Sequence, residues 1–415
     1  MKIISGGVCA PKGFMAGGVR AGIKASCNAV SRASSPKKDL ALIYSPKECT
    51  AAAMFTKNIV KAASVEVSRK HLMGGKLRAV IANSGNANAC TGEAGMEAAR
   101  RMARLVANEF SVEPFEVAVA STGVIGVPLP IALIENGIGA LKDSLRNDEH
   151  GHAAALEAIM TTDTRKKEIA LEFEIGGKPV RIGGMAKGSG MIHPNMATML
   201  AFFTTDAAIG HEALYASMER CTKRSFNRLT VDGDTSTNDM ALIMANGEAG
   251  NQLIEAGGND YEIFCAALEK ACITLAREMA RDGEGASKLL TVTVTGASCE
   301  KDAELLAKSV ASSSLVKAAC FGADANWGRV LCALGYAGVD FNPSGTSVTF
   351  LSKAGEIRVC EKGEPVSFSE EKAKAILSEE EIEILVRIEE GEGKASVWGC
   401  DLTYDYVKIN GDYRS

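Results

Sequence analysis

Gly183-Gly184-Met185-Ala186-Lys187-Gly188-Ser189-Gly190-Met191-Ile192-His193-Pro194-Asn195-Met196-Ala197-Thr198-Met199-Leu200 is the densest run of unusual residues in this 415-residue chain. A glycine-rich loop carrying one lysine first suggests phosphate binding. The G-x-x-x-x-G-K-[ST] spacing is not met, however, and the run leads into an apolar strand rather than a helix. A different chemistry fits the junction. Ala197-Thr198 stands where the loop meets the apolar strand at residues 199–203. Cutting that bond would leave Thr198 at the start of a rigid element, with a free α-amine beside its hydroxyl. A threonine hydroxyl is a weak nucleophile alone, but its own amine can act as the adjacent base. The plainer alternative is a β-branched residue that opens a strand.

Such a nucleophile needs donors aimed at the developing oxyanion. Ser121-Thr122-Gly123-Val124-Ile125-Gly126 follows a strand at residues 117–120, and Gly123 allows close backbone approach. The Thr122 hydroxyl and the Gly123 N–H are the candidate donors; a plain strand-to-helix turn is the alternative. Around these loops, strands are expected at residues 40–44, 51–55, 78–82, 169–173 and 198–204. Asn83-Ser84-Gly85-Asn86-Ala87-Asn88 reads as a loop. Helices are expected at residues 93–108, from Pro128 onward, and at 212–224. Phe264, Leu268, Ala271, Leu275 and Met279 give a further amphipathic helix. Residues 290–295 alternate as a half-buried strand. Residues 370–390 read as a solvated helix, and alternation from Trp398 to Tyr406 reads as a strand. Elements of both kinds alternate, which indicates an α/β layered fold.

Composition narrows the class. The chain is 46% hydrophobic and 23% charged, ordinary for a globular protein, and long enough for two or three domains. A net charge of −5 leaves no basic excess for general nucleic-acid binding. The twelve cysteines are scattered without a C-x-x-C pair, so reduced, mostly buried thiols in a cytoplasmic protein are expected. Glycines at the N-terminus interrupt any signal-peptide core. Pro128, Pro130, Gly123 and Gly126 break the uncharged stretch at residues 117–134, so no membrane span is expected.

The run from Gly183 to Leu200 resembles that of the ornithine acetyltransferase family, the bifunctional glutamate N-acetyltransferases of arginine biosynthesis. So do Ala82-Asn83-Ser84-Gly85-Asn86-Ala87-Asn88-Ala89, Ser121-Thr122-Gly123-Val124-Ile125-Gly126 and Thr161-Thr162-Asp163-Thr164. Val231-Asp232-Gly233-Asp234-Thr235-Ser236-Thr237-Asn238-Asp239 and Asn326-Trp327-Gly328-Arg329 match as well, in order along nearly the whole chain.

The resemblance implies an αββα sandwich of the N-terminal-nucleophile type with a smaller α/β domain, placed at about residues 290–395. It implies self-cleavage between Ala197 and Thr198, into chains 1–197 and 198–415 that stay associated and pair into an α2β2 heterotetramer. It also implies ping-pong transfer of acetyl from N2-acetylornithine to glutamate through acetyl-Thr198, without metal or organic cofactor, with acetyl-CoA as a second donor left open. By the same matching, Thr122 and Gly123 form the oxyanion hole, and Thr161, Lys187, Thr198, Glu284, Asn410 and Ser415 contact substrate. Lys187 suits a carboxylate or lowers the pKa of the Thr198 amine, and Glu284 suits an ammonium.

Two other classes stay open from the sequence: a self-processing aminopeptidase that hydrolyses peptides, and a binding protein whose loops merely cradle a ligand. His150 and His152 lack a third metal ligand and read as an exposed helix start. His193 is assigned no catalytic role.

Overall fold

The computed structural model describes residues 1–27, 37–193 and 199–412. One large sheet is built from β1 (Lys2–Ile3), β2 (Met15–Val19), β3 (Leu40–Phe55), β4 (Lys76–Asn86), β5 (Val117–Val124), β6 (Lys167–Ile175), β7 (Lys178–Lys187), β8 (Leu200–Thr205) and β9 (Met240–Ala245). Its order is β1-β6-β7-β8-β9-β3-β4-β5, with β2 paired to β3. The β4–β5 and β8–β9 pairs are parallel and the rest antiparallel.

The long strand β3 explains how one sheet makes two layers. Its first half pairs with β4, its second half with β9, and the β4 ladder shifts register between Tyr44 and Cys49. Pro46, Lys47 and Glu48 are exposed at that irregularity, where the strand bends. Ala41, Ile43, Ala51 and Ala53 all point to one side. There they pack against Phe202, Leu242 and Met244 of the β8–β9 half and Val80 and Ala120 of the β4–β5 half. The two halves therefore face each other around a shared core, closed at one end by α5 (Glu149–Ile159).

The outer faces are covered by helices. Leu40, Leu42, Ile81 and Val119 meet the apolar faces of α2 (Ala63–His71), α3 (Gly92–Phe110) and α4 (Ile131–Asp143). Short α1 (Ile23–Cys27) joins the same cluster. On the far side, Met54, Leu171, Ile182, Phe203 and Ile243 meet α6 (His211–Arg224) and α7 (Asn259–Arg281). Burying a side chain such as Phe203 contributes about 1.5–3 kcal/mol, so these interfaces hold the layers together. The layer order is helix, sheet, sheet, helix, as expected.

A second module follows: β10 (Leu289–Ala297), α8 (Glu300–Ser312), α9 (Ser314–Phe321), α10 (Trp327–Gly335), β11 (Ser347–Ser352), β12 (Gly355–Glu361), β13 (Glu364–Pro365), α11 (Glu370–Leu377), β14 (Glu381–Arg387) and β15 (Gly393–Cys400). The sheet order is β13-β12-β11-β14-β10-β15. Leu290, Val292 and Val294 of β10 pack against α8 to α11. Trp398 and Cys400 reach into the α7 core of the larger unit, and the chain closes with α12 (Tyr404–Asp412).

Several local expectations need correction. Residues 40–44 and 51–55 belong to one strand, because the Ser45–Glu48 stretch bends the chain without reversing it. Asn83 to Asn86 continue β4 rather than forming a loop. There Asn83 donates to the Asn86 carbonyl at 2.9 Å, and Asn86 donates to that of Val127 at 3.0 Å. Ser121 to Val124 likewise extend β5. Gly183 and Gly184 lie inside strand β7: a Cβ on Gly183 would stand 1.9 Å from the Gly7 carbonyl oxygen, so close packing, not a loop, requires glycine. The helix expected from Pro128 begins at Ile131.

In the second module, residues 381–387 are strand β14, whose period-2 burial of Ile382, Ile384 and Val386 lies beneath the acidic composition. The strand at Trp398 stops at Cys400, and residues 404–412 turn helical. His150 is exposed, but His152 is buried, with Nε2 at 2.6 Å from Glu168 and Nδ1 accepting from Val8 N–H at 3.3 Å. All twelve cysteines are free and eight are buried. Among the described residues no helix is long and apolar enough to cross a membrane.

Candidate active site

The parallel strands β4 and β5 end side by side, Ser84 against Thr122 and Gly85 against Gly123. Gly123 has φ +133°, and a Cβ there would lie 2.3 Å from the Gly85 carbonyl carbon. Only glycine allows that approach. β7 delivers Lys187 opposite Leu200 of β8. The chain after α5 supplies Thr161 and Thr162, the turn after α7 supplies Glu284, and α12 supplies Asn410. Thr122, Gly123, Thr161, Lys187, Glu284 and Asn410 line one cavity of about 170 Å³. Six of the residues expected at the site are thus brought together from five separate segments.

Ala197, Thr198 and Ser415 lie outside the described residues. What flanks Thr198 is defined. The Met199 N–H donates to Asp239 Oδ1 at 2.8 Å, and β8 starts at the next residue.

The cavity has an organised polarity. Lys187 is buried, and its ammonium donates to the Thr122 hydroxyl at 3.3 Å. Burial pulls its pKa below the ordinary lysine value, and the neighbouring Asp163 carboxylate works against that shift. Across the cavity, Glu284 accepts from the Thr162 hydroxyl at 2.8 Å and from the Asn410 amide at 2.9 Å. The Glu284 N–H donates to the Ser189 carbonyl at 2.8 Å. A Cβ on Gly190 would sit 2.3 Å from the Glu284 carboxyl, so this glycine leaves the carboxylate its place. A cation and an anion facing one small cavity match the carboxylate and ammonium of an amino acid.

Sequence reasoning gave no role to the layer beneath. Lys167 is fully buried, with its ammonium 2.7 Å from Asp163 and 2.5 Å from Asp282. Asp163 also accepts from the Thr161 N–H at 2.9 Å and the Gly188 N–H at 2.7 Å, tying two walls of the cavity together. Burial drives the Asp163 carboxyl upward, but Lys167, Lys187 and the Gly188 N–H more than offset this and hold it well below the usual range. Asp239 differs: among the described residues no lysine is in hydrogen-bonding contact with it, and burial pushes its pKa well above the ordinary value. Thr162 and Asp163 lay in a motif already singled out, and their density of polar groups was the available signal. Among the described residues no group of three or more His, Cys, Asp or Glu is arranged to hold a metal ion.

The family model of the ArgJ family matches residues 15–415. The chain belongs to the ArgJ family. The Arginine biosynthesis bifunctional protein ArgJ of Symbiobacterium thermophilum is 52% identical over 415 residues, covering all of both chains. That of Caldanaerobacter subterraneus subsp. tengcongensis is 50% identical over 415 residues, again end to end. A crystal structure of the Bacillus halodurans ArgJ protein is 47% identical, covering 51% of this chain and 98% of that chain, with a TM-score of 0.49. Within this ArgJ family member, the cavity between β5, β7 and α12 is the candidate active site.

Proposed function

We propose that this chain is a self-cleaving acetyltransferase of arginine biosynthesis that moves acetyl from N2-acetylornithine to glutamate through acetyl-Thr198. The observation that carries the reading is the convergence of Thr122, Gly123, Thr161, Lys187, Glu284 and Asn410 on one cavity. That cavity lies beside the start of β8, two residues beyond Thr198.

In processing, the Thr198 hydroxyl oxygen attacks the Ala197 carbonyl carbon, the peptide C–N bond breaks, and the hydroxyl proton passes to the departing nitrogen. Water then hydrolyses the ester, leaving an Ala197 carboxylate and a Thr198 with free hydroxyl and α-amine. In turnover, that amine takes the hydroxyl proton as the oxygen attacks the acetyl carbonyl of N2-acetylornithine. The Thr122 hydroxyl and Gly123 N–H hold the oxyanion. The C–N bond breaks, the proton goes to the leaving nitrogen, and ornithine departs. The glutamate amine attacks the acetyl-Thr198 ester and restores the hydroxyl.

Lys187 meets the substrate carboxylate and Glu284 its ammonium. The relatives are named bifunctional, which supports acetyl-CoA as a second donor. Strands β7 and β8 pair across the cut, which supports chains 1–197 and 198–415 remaining associated. An α2β2 assembly in the cytoplasm completes the reading, and Ser415 is proposed at the substrate. Thr198→Ala tests it: the variant should stay one uncut, inactive chain, and a processed or active variant would end the proposal.

A further inference from the structure

Ser236 and Asn238 of the motif at residues 231–239 line the cavity, and the turnover steps above use none of its other residues. Its contacts fall on both sides of the segment that contains the Ala197–Thr198 bond. On the upstream side, Asp232 accepts from the N–H groups of Met191 at 2.6 Å and Ile192 at 2.8 Å. Met191 takes a left-handed backbone (φ +55°), which aims both N–H groups at one carboxylate. The Val231 N–H donates to the Ile192 carbonyl at 2.6 Å, and the Thr235 hydroxyl donates to that of His193 at 2.8 Å. His193 Nδ1 lies 3.0 Å from the Thr230 hydroxyl. On the downstream side, Asp239 accepts from the Met199 N–H at 2.8 Å.

The loop itself is anchored. Asn238 donates to the carbonyls of Ala87 at 2.6 Å and Ser121 at 2.7 Å. Thr56 donates from its hydroxyl to Ser236 at 2.8 Å and from its N–H to Asp239 at 3.1 Å. Ser121 directly precedes Thr122, so one loop refers both ends of the cut segment to the strand that carries the oxyanion donors.

We propose that residues 230–239 form the positioning device for self-cleavage, Asp232 and Thr235 holding the upstream end and Asp239 the downstream end. The inference rests on the processing reading above. Fixing both ends of a short segment restricts where the Thr198 hydroxyl and the Ala197 carbonyl can meet, and misplacement by about 1 Å can cost about a hundredfold in rate. The two ends differ after the cut. The upstream end then belongs to a product tail, whereas Asp239 still fixes the peptide unit that joins Met199 to the nucleophile.

The test is a time course of processing during cell-free translation of the full chain, followed by intact mass. The variants are Asp232→Asn, Asp239→Leu, Thr235→Val and Thr235→Ser. Asp232→Asn, which keeps only one of two accepting oxygens, Asp239→Leu, which removes the acceptor, and Thr235→Val are expected to process about 10- to 100-fold more slowly, and Thr235→Ser, which restores the hydroxyl, close to the wild-type rate. Thr235→Val removes one hydroxyl acting on one carbonyl, so it carries the test even if an aspartate variant does not fold. In the fraction that does cut, Asp239→Leu should lower kcat with KM unchanged, whereas Asp232→Asn and Thr235→Val should leave both unchanged. A wild-type chain that cuts before Thr198 while Thr235→Val cuts equally fast would overturn the positioning role and leave the processing reading standing. A wild-type chain that never cuts would overturn the processing reading, and this inference with it.

Discussion

The Asn410 side-chain amide donates to Glu284 Oε2 at 2.9 Å, so the last helix, α12, closes against the carboxylate that follows α7. The bond joins residues 126 positions apart and makes one wall of the cavity from the end of the chain. A hydrogen bond to a charged group contributes about 1.5–3 kcal/mol. Asn410→Ala, or removal of residues 410–415, should therefore raise KM for the amino-acid substrates about tenfold while cleavage proceeds. Steady-state kinetics with unchanged KM and kcat would remove this wall from the site.

Glu284→Gln keeps the shape but removes the charge that would meet an ammonium. The KM for N2-acetylornithine, whose side chain carries a free ammonium, should rise by about 10- to 100-fold, with processing retained. An isotherm for ornithine binding checks this directly, and an unaltered affinity would assign the ammonium to another group.

The proposed oxyanion donors are tested at Thr122 and Gly123. Thr122→Val deletes a hydroxyl and should lower kcat by about two to three orders of magnitude with little change in KM. Gly123→Ala adds a Cβ 2.3 Å from Gly85 at a φ of +133°, so it should lose both activity and thermal stability. Kinetics and a melting curve separate the two effects. Normal kcat in Thr122→Val would leave the hydroxyl without its catalytic role.

Lys167→Met leaves Asp163 and Asp282 buried without their common cation, and should destabilise the fold by about 3–5 kcal/mol in chemical denaturation. The Asp163 carboxyl also sets a pH dependence. Its folded pKa lies below the ordinary 3.8, so the stabilisation it contributes is present above that value and is lost as pH falls below it. Asp163→Asn should therefore be less stable than wild type at pH 7, with the gap narrowing below pH 3.8. A gap that stays constant across that range would contradict the charged state assigned to Asp163.

Much of this site could be read before the fold was known, because its motifs are long and polar where catalysis needs polar groups. Thr122 and Gly123 are legible from the residues themselves, whereas Thr161, Lys187, Glu284 and Asn410 are implied only by the family resemblance; all six meet at one cavity. The supporting layer was not legible. That Lys167 sits between Asp163 and Asp282 depends on a contact across 115 residues, which no local spacing shows. Local elements failed where composition and geometry part company. Gly183 and Gly184 in β7 resemble a loop but answer to the backbone of Gly7 and the ring of Phe203, and glutamates around Ile382 and Ile384 disguise a strand as a solvated helix. The bend in β3 that makes two layers from one sheet likewise has only Pro46 and its neighbours as a local sign.

The most direct test of the acetyl-Thr198 mechanism is a denaturing intact-mass spectrum of the purified protein before and after brief exposure to N2-acetylornithine. Two fragments are expected in place of the 43.5 kDa chain, the second beginning at Thr198 and gaining the mass of one acetyl group. A single unmodified 43.5 kDa chain, or two fragments of which neither takes an acetyl group, would contradict it.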